Sequence, residues 1–514
     1  MISLIKALFS KNPESSNAGT PGSGVVTRFA PSPTGFMHIG GARTALYAYL
    51  WARKNNGTFI LRIEDTDTER EVEGSIAHIQ ETLKWLGINW DFGPDRKDNP
   101  FGSCIQSERL DSYRQYAQKL VDKGLAYPDP YTAEELAAFR AQADLEKRPF
   151  LYRHHRPINF GVWNGTQALR FKVAKPRRYK WHDAVRGDLE AGEEALDDFI
   201  LMKKDGYPTY NFAHIIDDLL MGVTHIMRAD EFISSTPKFL SLYEGLGIQP
   251  PTFVTLPPIL RSDKTKKLGK RDGAKDILEY RKEGFLPDAM VNFLALVGWN
   301  PGTEREVFNP KDLIAEFDIA KIHKAGGVFN EEKLRWMNKE HLKLMPIEGV
   351  RADIKARIES NERASDLKWN LTPEIVKTIT PVILDRIEVY ADIDTMIAER
   401  DLDYYFSEPS YDALSLKWKD EPDLTNTIKH LKHIRGIMAD IPDSRWNEAD
   451  IKEAAWPYAD ANGRGAVLWP LRYALSGKDK SPNPFTLSAI LGKETVLRRI
   501  DVALKKCADH APLA

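Results

Sequence analysis

The stretch Ala30-Pro-Ser-Pro-Thr-Gly-Phe-Met-His38-Ile-Gly-Gly41 joins a strand-like segment to a helix-like one, and it limits the fold more than any other part of the chain. Before it, Val25-Val-Thr-Arg-Phe29 reads as a short buried strand. Pro31 and Pro33 then force extended backbone. After it, Ala42, Ala45, Leu46, Tyr49 and Leu50 recur at spacings of three and four, the apolar face of a helix. Asn55-Asn-Gly57 stops that helix, and Thr58-Phe-Ile-Leu-Arg-Ile63 reads as the next strand. A strand, helix and strand within about 40 residues make a βαβ unit with a right-handed crossover. A second helix is predicted with Val72, Ile76, Ile79, Leu83 and Leu86 on one face, closed by Gly87. This opens a doubly wound, Rossmann-type α/β domain with a parallel sheet.

The turn also has chemical potential. Unpaired N–H groups and the dipole at a helix start favour an anionic phosphate. Gly40 and Gly41 let backbone approach a ligand, and His38 can donate a hydrogen bond to a phosphate oxygen. The chain has no G-x-x-x-x-G-K-[ST], so this is no P-loop. Taken alone, the turn also fits a tight βα connection with an incidental histidine.

At 514 residues the chain needs about two to four domains. From about Ser112 the character changes, mixing a helical pattern at Glu134 to Leu145 with strand-like Ala168-Leu-Arg-Phe-Lys-Val173. This reads as an α+β insertion. The parallel-sheet pattern returns at Tyr210 to Arg228, and beyond Pro310 the chain reads as helical to its end, finishing with Glu494 to Lys505. The expected segments are a disordered extension at 1–24, the first half of the catalytic domain at 25–111, and the insertion at 112–205. The second half follows at 206–262, a lysine loop and stem-contact region at 263–345, and a helical region at 346–514. The N-terminal segment lacks the Arg-rich, acid-free character of an import signal, since Glu14 is present.

A formal net charge of -2 means that any nucleic acid must be met by local basic patches. Cys104 and Cys507 are the only cysteines and have no metal-like spacing, which points to a reducing compartment and away from a cysteine zinc site. No apolar run approaches the roughly 18–20 residues that span a bilayer. A cytoplasmic protein without membrane partners is expected.

A second constellation, Arg261-Ser-Asp-Lys264-Thr-Lys266-Lys267-Leu-Gly-Lys270-Arg271, holds six basic residues in eleven positions. Such a run is commonly a solvated loop. Its place after the second half of the α/β domain, where ligands meet the carboxyl ends of strands, suits a triphosphate instead.

Together, His38-Ile-Gly-Gly41 and Lys267-Leu-Gly-Lys270-Arg271 resemble the two signatures of class I aminoacyl-tRNA synthetases, abbreviated HIGH and KMSKS. Around them the likeness narrows to the bacterial-type glutamyl-tRNA synthetase family. Arg28-Phe-Ala-Pro-Ser-Pro-Thr-Gly35, Leu61-Arg-Ile-Glu-Asp-Thr-Asp67, Asp205-Gly-Tyr-Pro-Thr-Tyr-Asn-Phe-Ala213, Asp217-Asp218 and Met227-Arg228 all resemble that family. The likeness runs from about Thr27 to Asn338 and is weaker at Leu471-Arg472 and Leu491-Gly-Lys-Glu-Thr495.

The resemblance implies ATP-dependent attachment of L-glutamate to the 3′ end of tRNA(Glu) through glutamyl-adenylate, with release of AMP and diphosphate. It implies that His38, Gly40, Gly41, Lys267 and Lys270 hold ATP, with His38, Gly40, Lys267 and Lys270 acting in catalysis. It implies that Arg28, Ser32, Glu64, Tyr210 and Arg228 bind glutamate. Arginine suits a carboxylate by offering two parallel bonds. Read as residues alone, Arg28 and Glu64 equally fit a buried ion pair across adjacent strands. Mg²⁺ is expected with ATP. The implied fold adds an inserted acceptor-binding domain and an all-α anticodon-binding region, in a monomer.

Three positions depart from the family pattern. Gly269 stands where serine is usual, which loosens the loop. His214 has no assigned role. Some members bind zinc after an Ala-Tyr pair, but Ala126-Tyr127-Pro-Asp-Pro-Tyr131 lacks cysteine, so no protein-bound metal is expected. His154 and His155 are read as surface residues. On the RNA side, Lys429, Lys432, His433 and Arg435 form a basic cluster, and Trp456, Tyr458, Trp469 and Arg472 are candidates for stacking on bases.

Other readings remain open at this point. They are charging of tRNA(Gln) as well, a paralogue that glutamylates a queuosine base in tRNA, an inactive tRNA-binding protein, and a simple nucleotidylyltransferase. The paralogue lacks an anticodon domain, whereas a long chain follows Glu340 here.

Overall fold

The computed structural model describes residues 24–96, 98–264, 266–269, 275–419 and 421–510. The expected N-terminal extension, up to Ser23, and Lys270 lie outside the described residues.

β1 (Val26–Phe29) and β2 (Thr58–Leu61) run parallel with Arg28 opposite Ile60, and α1 (Ile39–Lys54) makes the crossover. Ile39, Ala42, Leu46, Leu50 and Trp51 form its buried face, and removing such large side chains from water contributes about 1.5–3 kcal/mol each. Asn55 caps the helix end. Gly57 then passes so close to the first strand that a Cβ would lie 2.1 Å from the Val25 carbonyl oxygen. No side chain fits there.

α2 (Ser75–Trp85) is shorter than its apolar spacing predicts. Gly74 precedes it at φ +78°, so the helical hydrogen bonds begin only beyond that left-handed turn, and Val72 stays 40% exposed outside the helix. Next come α3 (Leu110–Asp122), β3 (Ala126–Pro128), α4 (Ala133–Leu145) and β4 (Leu169–Phe171). α4 starts on a capping box between Thr132 and Glu135. β5 (Tyr179–Asp183) and β6 (Gly187–Ala191) form a hairpin, followed by β7 (Phe199–Met202).

β3, β4 and β7 make an antiparallel three-stranded sheet. The β5–β6 hairpin joins a different sheet. After α5 (Tyr210–Leu220), β8 (His225–Ala229) and α6 (Thr236–Leu246), β9 (Thr252–Leu256) completes a four-stranded sheet in the order β6-β5-β9-β8. β8 and β9 are parallel, as are β5 and β9. The buried Asp183 carboxylate fixes that junction by accepting from the Val185, Arg186 and Thr255 amides. β1 lies beside β8, where Thr224 N–H donates to the Val26 carbonyl and Val26 N–H to the Thr224 hydroxyl, both at 2.9 Å. Phe212, Ile215, Phe239, Leu242 and Phe253 belong to the core behind this sheet.

β10 (Ile259–Leu260) later pairs in parallel with β11 (Gly327–Val328), a short strand in a region that the spacing reads as wholly helical. α7 (Ile277–Lys282) and α8 (Pro287–Leu296) come between them.

The chain falls into two units by contact, one running to Met337 without 282–285, the other made of those four residues and the chain from Asn338. The second unit is built of helices, among them α9 (Ile347–Ser360), α10 (Pro373–Arg386), α11 (Thr425–Asp440), α12 (Glu448–Asn462), α13 (Arg464–Ser476), α14 (Pro484–Leu491) and α15 (Lys493–His510). Val496 and Ile500 on α15 are fully buried with Leu471 and Ala474 of α13 and Ile434 of α11. Among the described residues no helix is long and apolar enough to cross a membrane.

Candidate active site

A cavity of about 1030 Å³ opens in the first unit, and its lining includes Arg28, Ser32, His38, Gly40, Gly41, Glu64, Tyr210, Arg228 and Lys267. These are all the predicted site residues except Lys270. Residues from four separate stretches of sequence therefore meet at one place.

His38 is the N-cap of α1, and its Nδ1 accepts the Gly40 N–H at 3.0 Å. An amide only donates, so in the neutral ring Nδ1 carries the lone pair and Nε2 the proton. A Cβ on Gly40 would lie 2.9 Å from the His38 ring, so the glycine makes room for that imidazole. Gly41 is less constrained, its nearest neighbour being Met37 Cγ at 3.5 Å from an added Cβ.

The acidic and basic groups form a buried chain, but not the pair that adjacency suggests. Arg28 reaches Asp218, while Glu64 is held by Arg62 at 2.9 Å. The register explains this. Arg28 stands opposite Ile60, and Glu64 lies beyond the end of β2, where its amide bonds to the Pro31 carbonyl. Arg62 bridges outward to Asp218 at 2.7 Å, and Asp217 accepts from Gln106, Arg109 and Tyr113 at 2.8 Å each. Burial alone would raise the Asp218 carboxyl, but Arg28 and Arg62 outweigh it and hold it well below the ordinary range. Burial likewise opposes the Arg62 charge, and Asp218, Glu64 and Asp217 more than compensate. Glu64 goes the other way. Its desolvation exceeds the pull of Arg62 and Arg28, so its carboxyl is raised. A bound cation beside it would relieve that cost.

Arg228, buried at the end of β8, has one partner, the Thr236 hydroxyl at 3.1 Å. Its Nε and Nη1 are buried without a hydrogen-bond partner. Phe239 and Phe253 lie 4.8 Å from the guanidinium carbon, and burial lowers its pKa. A buried guanidinium with unpaired donors costs free energy that a carboxylate would recover.

Tyr210 stacks on His214, with centroids 4.6 Å apart and planes at 17°. His214 Nδ1 donates to the Tyr210 carbonyl at 2.6 Å, and burial pushes its pKa down to about 3. It is therefore a neutral ring backing a cavity residue. Its helical spacing from Tyr210 was the available signal. Sequence reasoning also missed Arg62 and Glu231. Glu231 pairs with Lys267 beside the cavity, and Leu260 bridges to Lys267. Gly269 and Leu268 also line the cavity, with Pro257, Pro258 and Ile259.

In the antiparallel sheet region, Asp129 takes Arg170 at 2.7 Å and the Tyr152 hydroxyl at 2.6 Å, while Asp198 takes the Tyr127 hydroxyl at 2.6 Å and Arg156. Among the described residues no group of three His, Cys, Asp or Glu is placed to hold a metal. His154 is exposed, but His155 is half-buried, stacked on Phe139 at 4.2 Å. The aromatic residues on α4 and the loop after it cover its ring.

In the second unit, Trp456, Trp469 and Arg472 line a cavity of about 510 Å³ with Trp418, Lys452, Arg464 and Phe485. Tyr458 lies elsewhere, in a hollow of about 620 Å³ with Lys429, Lys432 and His433, whose ring it stacks on at 3.8 Å. Arg435 is instead paired with Asp501.

Residues 24–336 match the family described as tRNA synthetases class I (E and Q), catalytic domain, and residues 354–504 match the family described as Anticodon binding domain. A glutamate–tRNA ligase of Clostridium botulinum (strain Loch Maree / Type A3) is 39% identical over 495 residues, covering 94% of this chain and 98% of its own. That of Chloroherpeton thalassium is 38% identical over 502 residues, covering 93% and 97%. A crystal structure of a glutamate tRNA ligase from Elizabethkingia meningosepticum in complex with its amino acid superposes with a TM-score of 0.82 at 33% identity, covering 94% of this chain and 99% of that one.

Proposed function

The chain belongs to the class I tRNA synthetases for glutamate and glutamine, and we propose that it is a glutamate–tRNA ligase using the cavity around His38, Arg228 and Lys267 for both chemical steps. ATP and L-glutamate give glutamyl-adenylate and diphosphate. The terminal ribose of tRNA(Glu) then takes the glutamyl group and AMP leaves.

The chain's own groups suit these roles. His38 Nε2–H donates to a phosphate oxygen, and the positive end of α1, where Gly40 and Gly41 line the cavity, favours the same charge. Lys267 and Lys270 neutralise the departing diphosphate. Pro257, Pro258, Ile259 and Leu268 provide an apolar wall for the adenine ring. Arg228 grips the glutamate side-chain carboxylate, Arg28 the other carboxylate, and Glu64 the ammonium, with Tyr210 and Ser32 orienting the molecule. The glutamate carboxylate then attacks the α-phosphorus in line. Such chemistry depends on positioning and charge stabilisation and needs no covalent nucleophile. Mg²⁺ enters as part of the ATP substrate, held by its phosphates.

The observation that carries this reading is Arg228, a guanidinium with two buried unpartnered nitrogens in the wall of the cavity. An anionic side chain on the substrate satisfies both, and the uncharged amide of glutamine does so poorly. In the second unit, the Trp418–Trp456–Trp469 pocket with Arg464 and Arg472 suits unstacked anticodon bases. The region matching an anticodon-binding domain and the intact His38 and Lys267 weigh against the base-modifying and inactive alternatives. The enzyme is taken to act as a monomer in the cytoplasm.

Charging of purified tRNA(Glu) and tRNA(Gln) in separate reactions with ATP and glutamate tests the proposal. Glutamate should attach to tRNA(Glu), and equal charging of tRNA(Gln) would make the enzyme non-discriminating. No ATP-dependent charging of either tRNA would overturn it.

A further inference from the structure

A second imidazole lies beneath the phosphate-binding turn, outside the predicted site. His78 on α2 accepts the Met37 N–H on Nδ1 at 3.4 Å and meets the Asp276 carboxylate through Nε2 at 2.7 Å. Phe36 stacks on the ring, with centroids 4.5 Å apart and planes at 19°. Asp276 has further ties. Its other carboxylate oxygen accepts the Leu278 N–H at 3.0 Å, its backbone forms an antiparallel bridge with His38, and Ile277 N–H donates to the Met37 carbonyl at 3.1 Å. Two backbone ties and one imidazole thus join residues 36–38 to residues 276–278.

The tautomers follow from the donors. Met37 N–H can only donate, so Nδ1 of His78 keeps its lone pair and Nε2 carries the proton toward Asp276. This is the arrangement His38 shows with Gly40, three residues further along the same turn. A protonated His78 would lose the Met37 contact, and a neutral ring with the proton on Nδ1 would lose both contacts.

We propose that the His78–Asp276 pair is a positioning device for ATP, fixing Met37 and His38 so that the His38 imidazole faces the phosphates in one orientation. It rests on the reading of the cavity as an ATP and glutamate site. Neither residue lines that cavity, so neither is a catalytic residue. Of the groups assigned to glutamate, Arg228 lies on β8, Tyr210 on α5, Arg28 on β1 and Glu64 just beyond β2, and Ser32 precedes Met37 by five residues. The hydrogen bonds of the pair go to Met37, Thr82 and Leu278 and to none of these. Its effect therefore falls on ATP.

The test is steady-state charging by the full chain with saturating tRNA, varying ATP and glutamate in turn. His78→Phe keeps the stacked ring and removes the hydrogen bonds to Met37, Asp276 and the Thr82 hydroxyl. It should raise the KM for ATP and lower kcat, together by about tenfold, the scale of a modest misplacement of reacting groups. The KM for glutamate should stay within about twofold. His78→Gln, which retains a donor for Asp276, should recover most of the loss, and Asp276→Asn takes the place of His78→Phe if that variant does not fold. Asp276→Asn should act like His78→Phe, and the double variant should be no worse than either single one. In His78→Phe or Asp276→Asn, ATP kinetics within about twofold of the parent, or equal weakening of ATP and glutamate, would overturn the proposal. Absence of charging by the parent chain would instead overturn the reading of the cavity itself.

Discussion

Arg28 and Asp218 lie 190 residues apart in sequence and meet through two contacts, Nε at 3.1 Å and Nη2 at 3.4 Å, with both side chains buried. Asp218 also takes Arg62 at 2.7 Å, so one buried carboxylate is shared by two guanidiniums, one of which, Arg28, lines the site. Asp218→Asn leaves Arg28 and Arg62 with less compensation in a buried place. The expected cost is about 3–5 kcal/mol of unfolding free energy, read as a lower urea midpoint with an unchanged slope.

Arg228→Ala removes the donors assigned to the substrate side chain. Loss of about two charge-assisted hydrogen bonds amounts to roughly 3 kcal/mol, or about 100-fold. That factor should appear in kcat/KM for glutamate, with the KM for ATP little changed. An equal effect on ATP would remove Arg228 from the glutamate side of the cavity.

Lys267→Ala should cut kcat for charging by about 100-fold through lost stabilisation of developing phosphate charge, while the KM for glutamate stays near its starting value. The same split is expected for Lys270→Ala. Glu231→Gln releases Lys267 from its ion pair and should lower the KM for ATP a few-fold. A rise on that substitution would mean that Glu231 guides ATP in and does not compete with it.

His214 gives a pH dependence. Its ordinary pKa of 6.5 falls to about 3 in the folded chain, because burial disfavours the charged ring. Between those values the unfolded chain binds a proton that the folded chain refuses. The stability is therefore complete above about pH 6.5 and lost as the pH falls toward 3. His214→Asn should flatten the loss between pH 6.5 and 4 by up to about 1.4 kcal/mol per pH unit. His225, pushed down to about 4 by burial, has the same sign and leaves a residual slope. Urea unfolding at several pH values measures both.

Trp456→Ala in the helical unit should weaken tRNA by about tenfold in KM, the scale of one stacked base. The kinetics of ATP and glutamate should not change. Unaltered tRNA kinetics would move base recognition to the separate hollow beside Tyr458.

Much of the site is legible in the sequence because it depends on backbone-driven patterns. The βα turn at His38 follows from prolines, glycines and a three-four apolar spacing; α1 begins two residues before the expected Gly41, and β2 ends at Leu61, two residues before the expected Ile63. The partners within the site are less legible. Arg28 sits on β1 and Glu64 just beyond the neighbouring β2, yet only the three-dimensional register shows that Arg62 takes Glu64 and Asp218 takes Arg28. α2 starts later than the apolar spacing predicts because Val72 keeps the helical period while Gly74 takes a left-handed turn that no hydrophobic period encodes. His78 gave no signal at all. It is one polar residue on an amphipathic helix, and its partner is 198 residues away.

The two thiols have a practical consequence. Cys104 and Cys507 are both buried, and burial raises them to about 12 and about 11. At neutral pH they are protonated and shielded, so electrophiles such as maleimides should find little to react with. A single cysteine introduced at exposed Ser262, on the lysine loop, can then carry a fluorophore in an otherwise native chain. Its emission would report in real time on how that loop responds as nucleotide arrives and leaves.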